Sequence, residues 1–141
     1  MLYKTEDKLD LALLIALSRA TQAVHRRSAV IFKEGDMTLA QFAVLEALYH
    51  KGDMTIYQII ESVLSTSGNM TVIINNLEKE NLIQRHANPK DKRSFLIAIT
   101  EKGKDKIETT FPKHLQDLKN CFSIYTEEEK DQLVSLLRKI V

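Results

Sequence analysis

The chain has 141 residues, of which 44% are hydrophobic and 28% are charged. A chain of this length buries roughly two-thirds of its unfolded surface, so one domain needs neither a metal nor a disulfide to hold it together. The formal net charge of +1 excludes a basic tail and an acidic disordered segment. A nucleic-acid contact would therefore have to come from a local basic patch.

The cysteine, glycine and proline content points to the interior of a cell. Cys121 is the one cysteine and cannot form an internal disulfide, and four Gly and two Pro are few for a secreted or all-β scaffold. The apolar run 11–17 is too short to span a bilayer, and acidic residues offset the lysines ahead of it. We expect this run to begin a buried helix, in a cytoplasmic protein without membrane contact.

A long first helix is expected near the start of the chain. Thr5 precedes two acidic residues, which is typical of a helix start, and apolar residues then recur with i, i+3, i+4 spacing to about Phe32. Leu11, Leu14 and Ile15 add a second apolar side, which is more than docking against a single core requires. This excess predicts a partner chain.

Further helix starts are marked by Thr followed three residues later by Gln or Glu, the spacing of a capping box. These pairs are Thr38–Gln41, Thr55–Gln58 and Thr126–Glu129. The second helix should end by Gly52, and residues 65–68 should break the third. Thr100 should begin a fifth helix, with Pro112 as an expected kink.

The middle of the chain predicts a helix pair followed by a hairpin. Apolar residues at 70, 73, 74 and 77 follow helical spacing and define a fourth helix. The sequence predicts two strands, over 82–87 and 94–100, joined by a turn at 88–93. This order is typical of a winged helix-turn-helix, whose second helix enters the DNA major groove. The predicted fold class is mainly α with one β-hairpin.

The fourth helix and the hairpin carry the predicted DNA contacts. The helix face opposite the apolar stripe is uncharged, but Asn pairs with adenine, Thr with either base type, and Val contacts the thymine methyl group. Between residues 79 and 93, five basic side chains stand against two acidic ones, which suits phosphates or a narrow minor groove. The alternatives are solvated helix positions and a charged loop that serves only solubility. The predicted DNA-binding residues are Thr66, Ser67, Gly68, Asn69, Thr71, Val72, Asn75, Asn76, Lys79, Arg85, Lys90, Asp91, Lys92 and Arg93.

Three stretches of the chain, 38–48, 70–85 and 88–103, resemble the multiple antibiotic resistance regulator (MarR) family of bacterial transcription factors. The third is the most specific, because the family's wing pattern, Asp-x-Arg and then Leu/Ile-Thr-x-x-Gly, falls within it. The resemblance implies that Arg93 reaches the minor groove and that Asp91 holds the wing in place.

Two details of the resemblance bear on specificity. Relatives often carry an Arg near the positions of Val72 and Asn76, so their operator sequences cannot be transferred to this chain. Residues 66–71 and 111–114 look more like the branch of repressors that respond to quinones and related electrophiles.

The resemblance further implies one domain over residues 1–141. Residues 1–34 and 104–141 would form dimerisation helices, and residues 38–103 the winged helix-turn-helix lobe, called the winged lobe below. A homodimer of this kind binds a pseudo-palindromic DNA operator and is released by a small-molecule effector. The effector would bind between the two parts, and the expected ligand contacts are His25, Phe42 and Phe111.

The sequence allows two interpretations of Cys121. A redox sensor needs exposure and a neighbour that favours the thiolate, and Lys119 is near in sequence. Leu118 and Phe122 instead suggest an apolar setting and a buried structural thiol. The family's peroxide sensors carry their cysteine near the start of the first helix, where this chain has none.

Metal, cofactor and enzyme functions find no support in the sequence. His25, His50, His86 and His114 are dispersed and form no zinc-binding motif, so no metal is expected. There is no Gly-rich phosphate loop and no nucleophile elbow, so neither a cofactor nor enzyme activity is expected. The alternative function is a winged-helix module that binds another protein without reading DNA. The effector, the operator sequence and the direction of regulation are not encoded in any motif.

Overall fold

The computed structural model describes residues 4–63 and 70–141. Within these ranges the elements are α1 (Thr5–Glu34), α2 (Leu39–Lys51), α3 (Ile56–Ser62), α4 (Met70–Lys79), β1 (Ile83–Ala87), β2 (Phe95–Ile99), α5 (Glu101–Phe122) and α6 (Glu127–Leu137). The predicted fold class, mainly helical with one hairpin, is confirmed. The predicted break at 65–68 lies outside the described residues.

The predicted helix starts are confirmed by their capping hydrogen bonds. Thr38 Oγ1 accepts from the backbone N–H of Gln41 at 3.1 Å, and Gln41 Oε1 accepts from the N–H of Thr38 at 2.9 Å. The same reciprocal pair opens α3 and α6. These bonds satisfy backbone donors that have no partner within the helix. At the other end of α2, Gly52 has φ 85, a conformation that glycine adopts without a Cβ penalty.

The hairpin is antiparallel and is attached to the helices at its base. Its register runs from Ile83 opposite Ile99 to Ala87 opposite Phe95. Ile97 also exchanges backbone hydrogen bonds of 2.7 and 3.1 Å with Met54, between α2 and α3. The hairpin is therefore fixed to the helix pair, and its strand β1 contacts α4.

The junction between β2 and α5 explains the Thr-x-x-Gly part of the wing motif. Thr100 Oγ1 accepts from the N–H of Gly103 at 3.1 Å and donates to the Asn81 carbonyl at 2.7 Å. A Cβ at Gly103 would lie 2.3 Å from the Leu82 carbonyl oxygen and 2.7 Å from Ile99 Cγ1. Only glycine therefore lets α5 begin so close to the hairpin.

The core lies inside the winged lobe, with single contributions from the flanking helices. α1 supplies Phe32 and α5 supplies Ile107. The buried core residues are Phe32, Met37, Phe42, Val44, Leu45, Ala47, Leu48, Met54, Ile59, Val63, Met70, Ile74, Leu77, Leu82, Ile83, Ile97 and Ile107.

The prediction that the run 11–17 begins a buried helix is wrong for the single chain. Only Leu17 in this run is partly buried, and α6 has no buried residue. The other large apolar side chains of these two segments stay 37% to 72% exposed, although their spacing is helical. We call them the terminal apolar surface, which comprises Leu9, Leu11, Leu13, Leu14, Ile15, Leu133, Val134, Leu136, Leu137 and Ile140. Across 4–63 and 70–141, no helix is both long and apolar enough to cross a membrane.

Candidate nucleic-acid interface

The exposed face of α4 carries described residues that the sequence predicts to contact DNA. Met70, Ile74 and Leu77 are buried, which orients the helix. Thr71, Val72, Asn75, Asn76 and Lys79 are all exposed on the other side. The predicted residues 66–69 lie outside the described residues.

The turn of the hairpin is held by its own side chains. Asn88 Oδ1 accepts from the N–H of Lys90 at 3.0 Å, and Asn88 Nδ2 donates to Ser94 Oγ at 2.9 Å. Asp91 Oδ1 accepts from the N–H of Arg93 at 2.9 Å. Asp91 therefore braces the turn, which is the arrangement that the resemblance implies for it.

The braced turn projects its basic side chains into solvent. Lys90, Lys92 and Arg93 are exposed, and none of the ion pairs between described residues involves them. Three exposed cations on one turn form the local positive patch that phosphates would require.

Arg85 differs from these three cations. On β1 it lies beside α4, where its Nε donates to Glu78 Oε1 at 3.2 Å and its Nη2 donates to Asn75 Oδ1 at 2.6 Å. Sequence reasoning does not single out Glu78, which the structure joins to a predicted DNA contact. The charge count that begins at residue 79 leaves it out, and its distance from Arg85 depends on how the hairpin docks.

A cavity of about 580 Å³ lies where the winged lobe meets α1 and α5. It brings together the three predicted ligand contacts, His25, Phe42 and Phe111. The described lining residues are Thr21, Val24, His25, Ser28, Phe32, Leu39, Phe42, Ala43, Glu46, Ser62, Val63, Phe111, His114, Leu115 and Leu118. Apart from His25, the polar members were not predicted as ligand contacts, because four helices contribute them from distant positions in the sequence.

The cavity has an aromatic wall with one polar atom set into it. The rings of Phe32 and Phe42 stack at 4.0 Å, and Phe111 stacks on Phe42 at 6.4 Å. The ring of His114 stands 5.0 Å from Phe32, and its Nδ1 is buried without a hydrogen-bond partner in the described structure. Burial lowers the pKa of His114, and the carboxylates of Asp117 and Glu46 oppose that shift.

Two side-chain contacts tie α5 to its neighbours beside the cavity. Arg27 on α1 pairs with Asp117 at 2.6 Å, and this hydrogen bond raises the pKa of Arg27. Tyr49 on α2 donates to Glu108 at 2.9 Å, which raises the pKa of Tyr49. Cys121 on α5 is half-buried and is not among the described cavity residues, so the single chain does not show the buried thiol that was one of its two interpretations.

The described residues hold no group of three or more His, Cys, Asp or Glu side chains suited to a metal ion. What the fold does contain is a helix pair, a second helix that exposes the residues predicted to read bases, and a braced basic wing. This combination defines the class of winged helix-turn-helix transcription regulators.

Comparison with known proteins identifies the family. The model of the MarR family matches residues 37–95. The HTH-type transcriptional regulator MhqR of Bacillus subtilis (strain 168) is 35% identical over 131 residues, which cover 93% of this chain and 90% of MhqR. An uncharacterized HTH-type transcriptional regulator of the same organism, YkoM, is 37% identical over 122 residues, 86% of this chain and 79% of YkoM. The chain belongs to the MarR family, whose members are transcriptional regulators.

The fold agrees with a solved structure of the family. A mutant MarR from E. coli, complexed with operator DNA, superposes with a TM-score of 0.86 at 24% identity and covers 99% of each chain. The recognition of a MarR-like winged helix in the sequence is confirmed by these comparisons.

Proposed function

We propose that the chain acts as a homodimeric repressor that reads a specific operator and leaves it when a small aromatic ligand binds. One observation carries the DNA-binding part of this proposal. The exposed face of α4 carries the uncharged side chains of Thr71, Val72, Asn75 and Asn76, and the hairpin whose strand β1 contacts α4 ends in a turn with three exposed cations. Groups suited to read bases and groups suited to bind phosphates therefore lie on one lobe.

The terminal apolar surface supports the homodimer. Leu14 is 60% exposed and Leu136 is 57% exposed, although both lie on helical apolar stripes. A second copy of the chain would cover these side chains, and residues 1–34 and 104–141 would then form the dimerisation part. Two copies related by a two-fold axis read a pseudo-palindrome with half-site centres about 10 base pairs apart.

The position of the cavity supports its role as the effector site. α2 belongs to the winged lobe, whereas α1 and α5 belong to the proposed dimerisation part. A ligand in the cavity contacts both parts and favours whichever relative placement fits it better. The two recognition helices must lie about one DNA turn apart, roughly 34 Å, so a changed placement would weaken operator binding.

The lining of the cavity favours an uncharged aromatic compound that carries a hydroxyl group. The stacked phenyl rings suit a flat ring, and the unpartnered Nδ1 of His114 can bond to one hydroxyl. Glu46 is the carboxylate of the described lining, which contains neither Lys nor Arg. An anionic aromatic acid would therefore be repelled by Glu46 and would find no cation.

We propose that the effector acts by occupying the cavity and not by modifying Cys121. This thiol lies outside the described cavity lining, although it is only half-buried. The variant Cys121→Ser should therefore respond to the effector at the same concentration as the original protein. A lost response would instead assign Cys121 the role of a sensor.

Selection of bound sequences from a random duplex pool tests the DNA-reading part directly. We expect enrichment of a pseudo-palindrome whose affinity falls with increasing salt, because phosphate contacts release counterions. The variant Lys92→Ala should lower the slope of log affinity against log salt by about one. Absence of any enriched sequence would favour a module that binds another protein.

Titration of the operator complex tests the ligand class. Hydroquinone and benzoate are similar in size, and we expect hydroquinone to release the DNA at a lower concentration. Phe111→Ala should raise the required concentration, whereas Tyr125→Ala, at an exposed ring outside the cavity, serves as the matched control. Release by benzoate at the lower concentration would contradict the proposed ligand chemistry.

A further inference from the structure

We propose that Arg85 is a positioning residue that fixes the orientation of the Asn75 side chain and thereby decides which base atoms Asn75 can read. This inference rests on the proposed reading of DNA by α4. Both residues are predicted DNA contacts, but the structure connects them to each other. Arg85 Nη2 donates to Asn75 Oδ1 at 2.6 Å.

The guanidinium determines which end of the amide faces it. Arginine offers only donors, so the Asn75 atom at 2.6 Å must be the carbonyl oxygen, whichever way the amide would otherwise rotate. The Nδ2 amino group, with its two N–H donors, then forms the free end of an exposed side chain on the reading face of α4. A free asparagine can offer both its oxygen and its nitrogen to adenine, whereas Asn75 offers chiefly donors.

Glu78 keeps the guanidinium in place. It lies three residues after Asn75 on α4, and its Oε1 accepts from Arg85 Nε at 3.2 Å. The Arg85 side chain is 27% exposed. The carboxylate offsets its charge, so Arg85 is less available to a phosphate than Lys92, which has no ion pair within the described ranges.

The consequence for DNA reading is specific. The major-groove acceptors are N7 of either purine, O6 of guanine and O4 of thymine, whereas strict recognition of adenine also requires an acceptor for its N6 amino group. With its oxygen held by Arg85, Asn75 should accept guanine as well as adenine at the contacted position. Without Arg85, the amide oxygen is free and the preference should narrow to adenine.

Base preference in the variant Arg85→Met tests the inference, since methionine keeps an unbranched side chain but has no donor. The readout is the enriched sequence from the random duplex pool, followed by competition titrations at one fixed salt concentration. We expect the original protein to bind the adenine and guanine operators within a few-fold of each other. Arg85→Met should favour adenine by roughly tenfold, and Arg85→Lys, which keeps a donor, should stay close to the original.

Two further variants separate positioning from other roles. In Asn75→Ala, the base preference at that position should be lost with or without Arg85, so the two substitutions should not be additive. Arg85→Met should leave the salt slope unchanged, whereas Lys92→Ala should lower it by about one. Should Arg85→Met prove unstable, Glu78→Gln frees the guanidinium charge and is expected to raise the salt slope.

The outcomes distinguish this inference from the proposed function. If the original protein enriches no sequence, the proposed function fails. If it enriches an operator and Arg85→Met keeps the same base preference, only the role of Arg85 is overturned. A salt slope that falls as much in Arg85→Met as in Lys92→Ala would make Arg85 a phosphate contact.

Discussion

The winged lobe and the terminal helices differ in how far one chain buries their apolar side chains. In the lobe, Leu45, Ile74 and Ile97 are completely buried, and α2, α3, α4 and the hairpin share one core. In α6 nothing is buried, and in α1 only Ser28 and Phe32 are. The same helical spacing of apolar residues thus predicts burial in both regions, but only the lobe achieves it within the chain. The spacing identifies a face to be covered and does not say which molecule covers it.

Charged substitutions on the terminal apolar surface should have the largest effect. The double variant Leu14→Asp, Leu136→Asp removes two large apolar contacts from the proposed dimer. The free energy of dimerisation should weaken by about 3 kcal/mol or more, which raises the dissociation constant over a hundredfold. Sedimentation over a range of protein concentrations measures this change.

The matched control for the double variant is Val72→Asp. Val72 is an apolar residue on α4 whose side chain is 52% exposed. This control should leave self-association in the absence of DNA unchanged. Equal dissociation constants for all three proteins would show that the terminal apolar surface is not the dimer contact.

A methyl group at the β2–α5 junction should have the next largest effect, this time inside the lobe. In Gly103→Ala, the new Cβ would meet the Leu82 carbonyl at 2.3 Å, so α5 or the hairpin must shift. We expect the free energy of unfolding to fall by roughly 1–3 kcal/mol, as in other overpacked sites. Chemical denaturation measures this loss, with Asp105→Ala at an exposed position of α5 as the control. A loss no larger than that of Asp105→Ala would mean that the junction is loosely packed.

Local signals predicted elements well and contacts between elements poorly. Thr38, Thr55 and Thr126 mark helix starts because a capping box needs only residues three apart. The pair of Arg85 and Glu78 could not be predicted in the same way, because it forms only when β1 lies beside α4. The cavity falls between these cases. Its aromatic residues could be expected from the resemblance, but the unpartnered Nδ1 of His114 depends on how three helices pack around it.

The same capping box begins α2 in the winged lobe and α6 in the terminal helices, so removing each cap compares the two regions directly. Loss of such a cap lowers the free energy of unfolding by about 1 kcal/mol where the helix is packed. In the background of the Leu14→Asp, Leu136→Asp variant, Thr38→Ala should lower the free energy of unfolding by that amount, because α2 carries core residues. Thr126→Ala should have almost no effect there, because α6 buries nothing in the single chain. Denaturation of both variants under one condition gives the comparison. Equal losses would show that α6 is packed even without a partner.

The smallest expected effect lies at the boundary between the two regions, at His114. Burial lowers its pKa in the folded chain, despite the opposing carboxylates of Glu46 on α2 and Asp117 on α5, and His25 on α1 lines the same cavity. The unfolded chain then binds more protons than the folded chain as the pH falls below about 6.5, the ordinary value for histidine. The free energy of unfolding should therefore be unaffected by His114 above that pH, decrease as the pH falls through 6.5, and stop decreasing below the lowered pKa. Denaturation between about pH 8 and pH 5 should show a smaller decrease in His114→Gln than in the original protein, with the exposed His86→Gln as the control. An equally large decrease in the free energy of unfolding of His114→Gln and of the original protein would show that burial does not hold the imidazole neutral. The hydrogen bond proposed between its Nδ1 and an uncharged effector would then lose its physical basis.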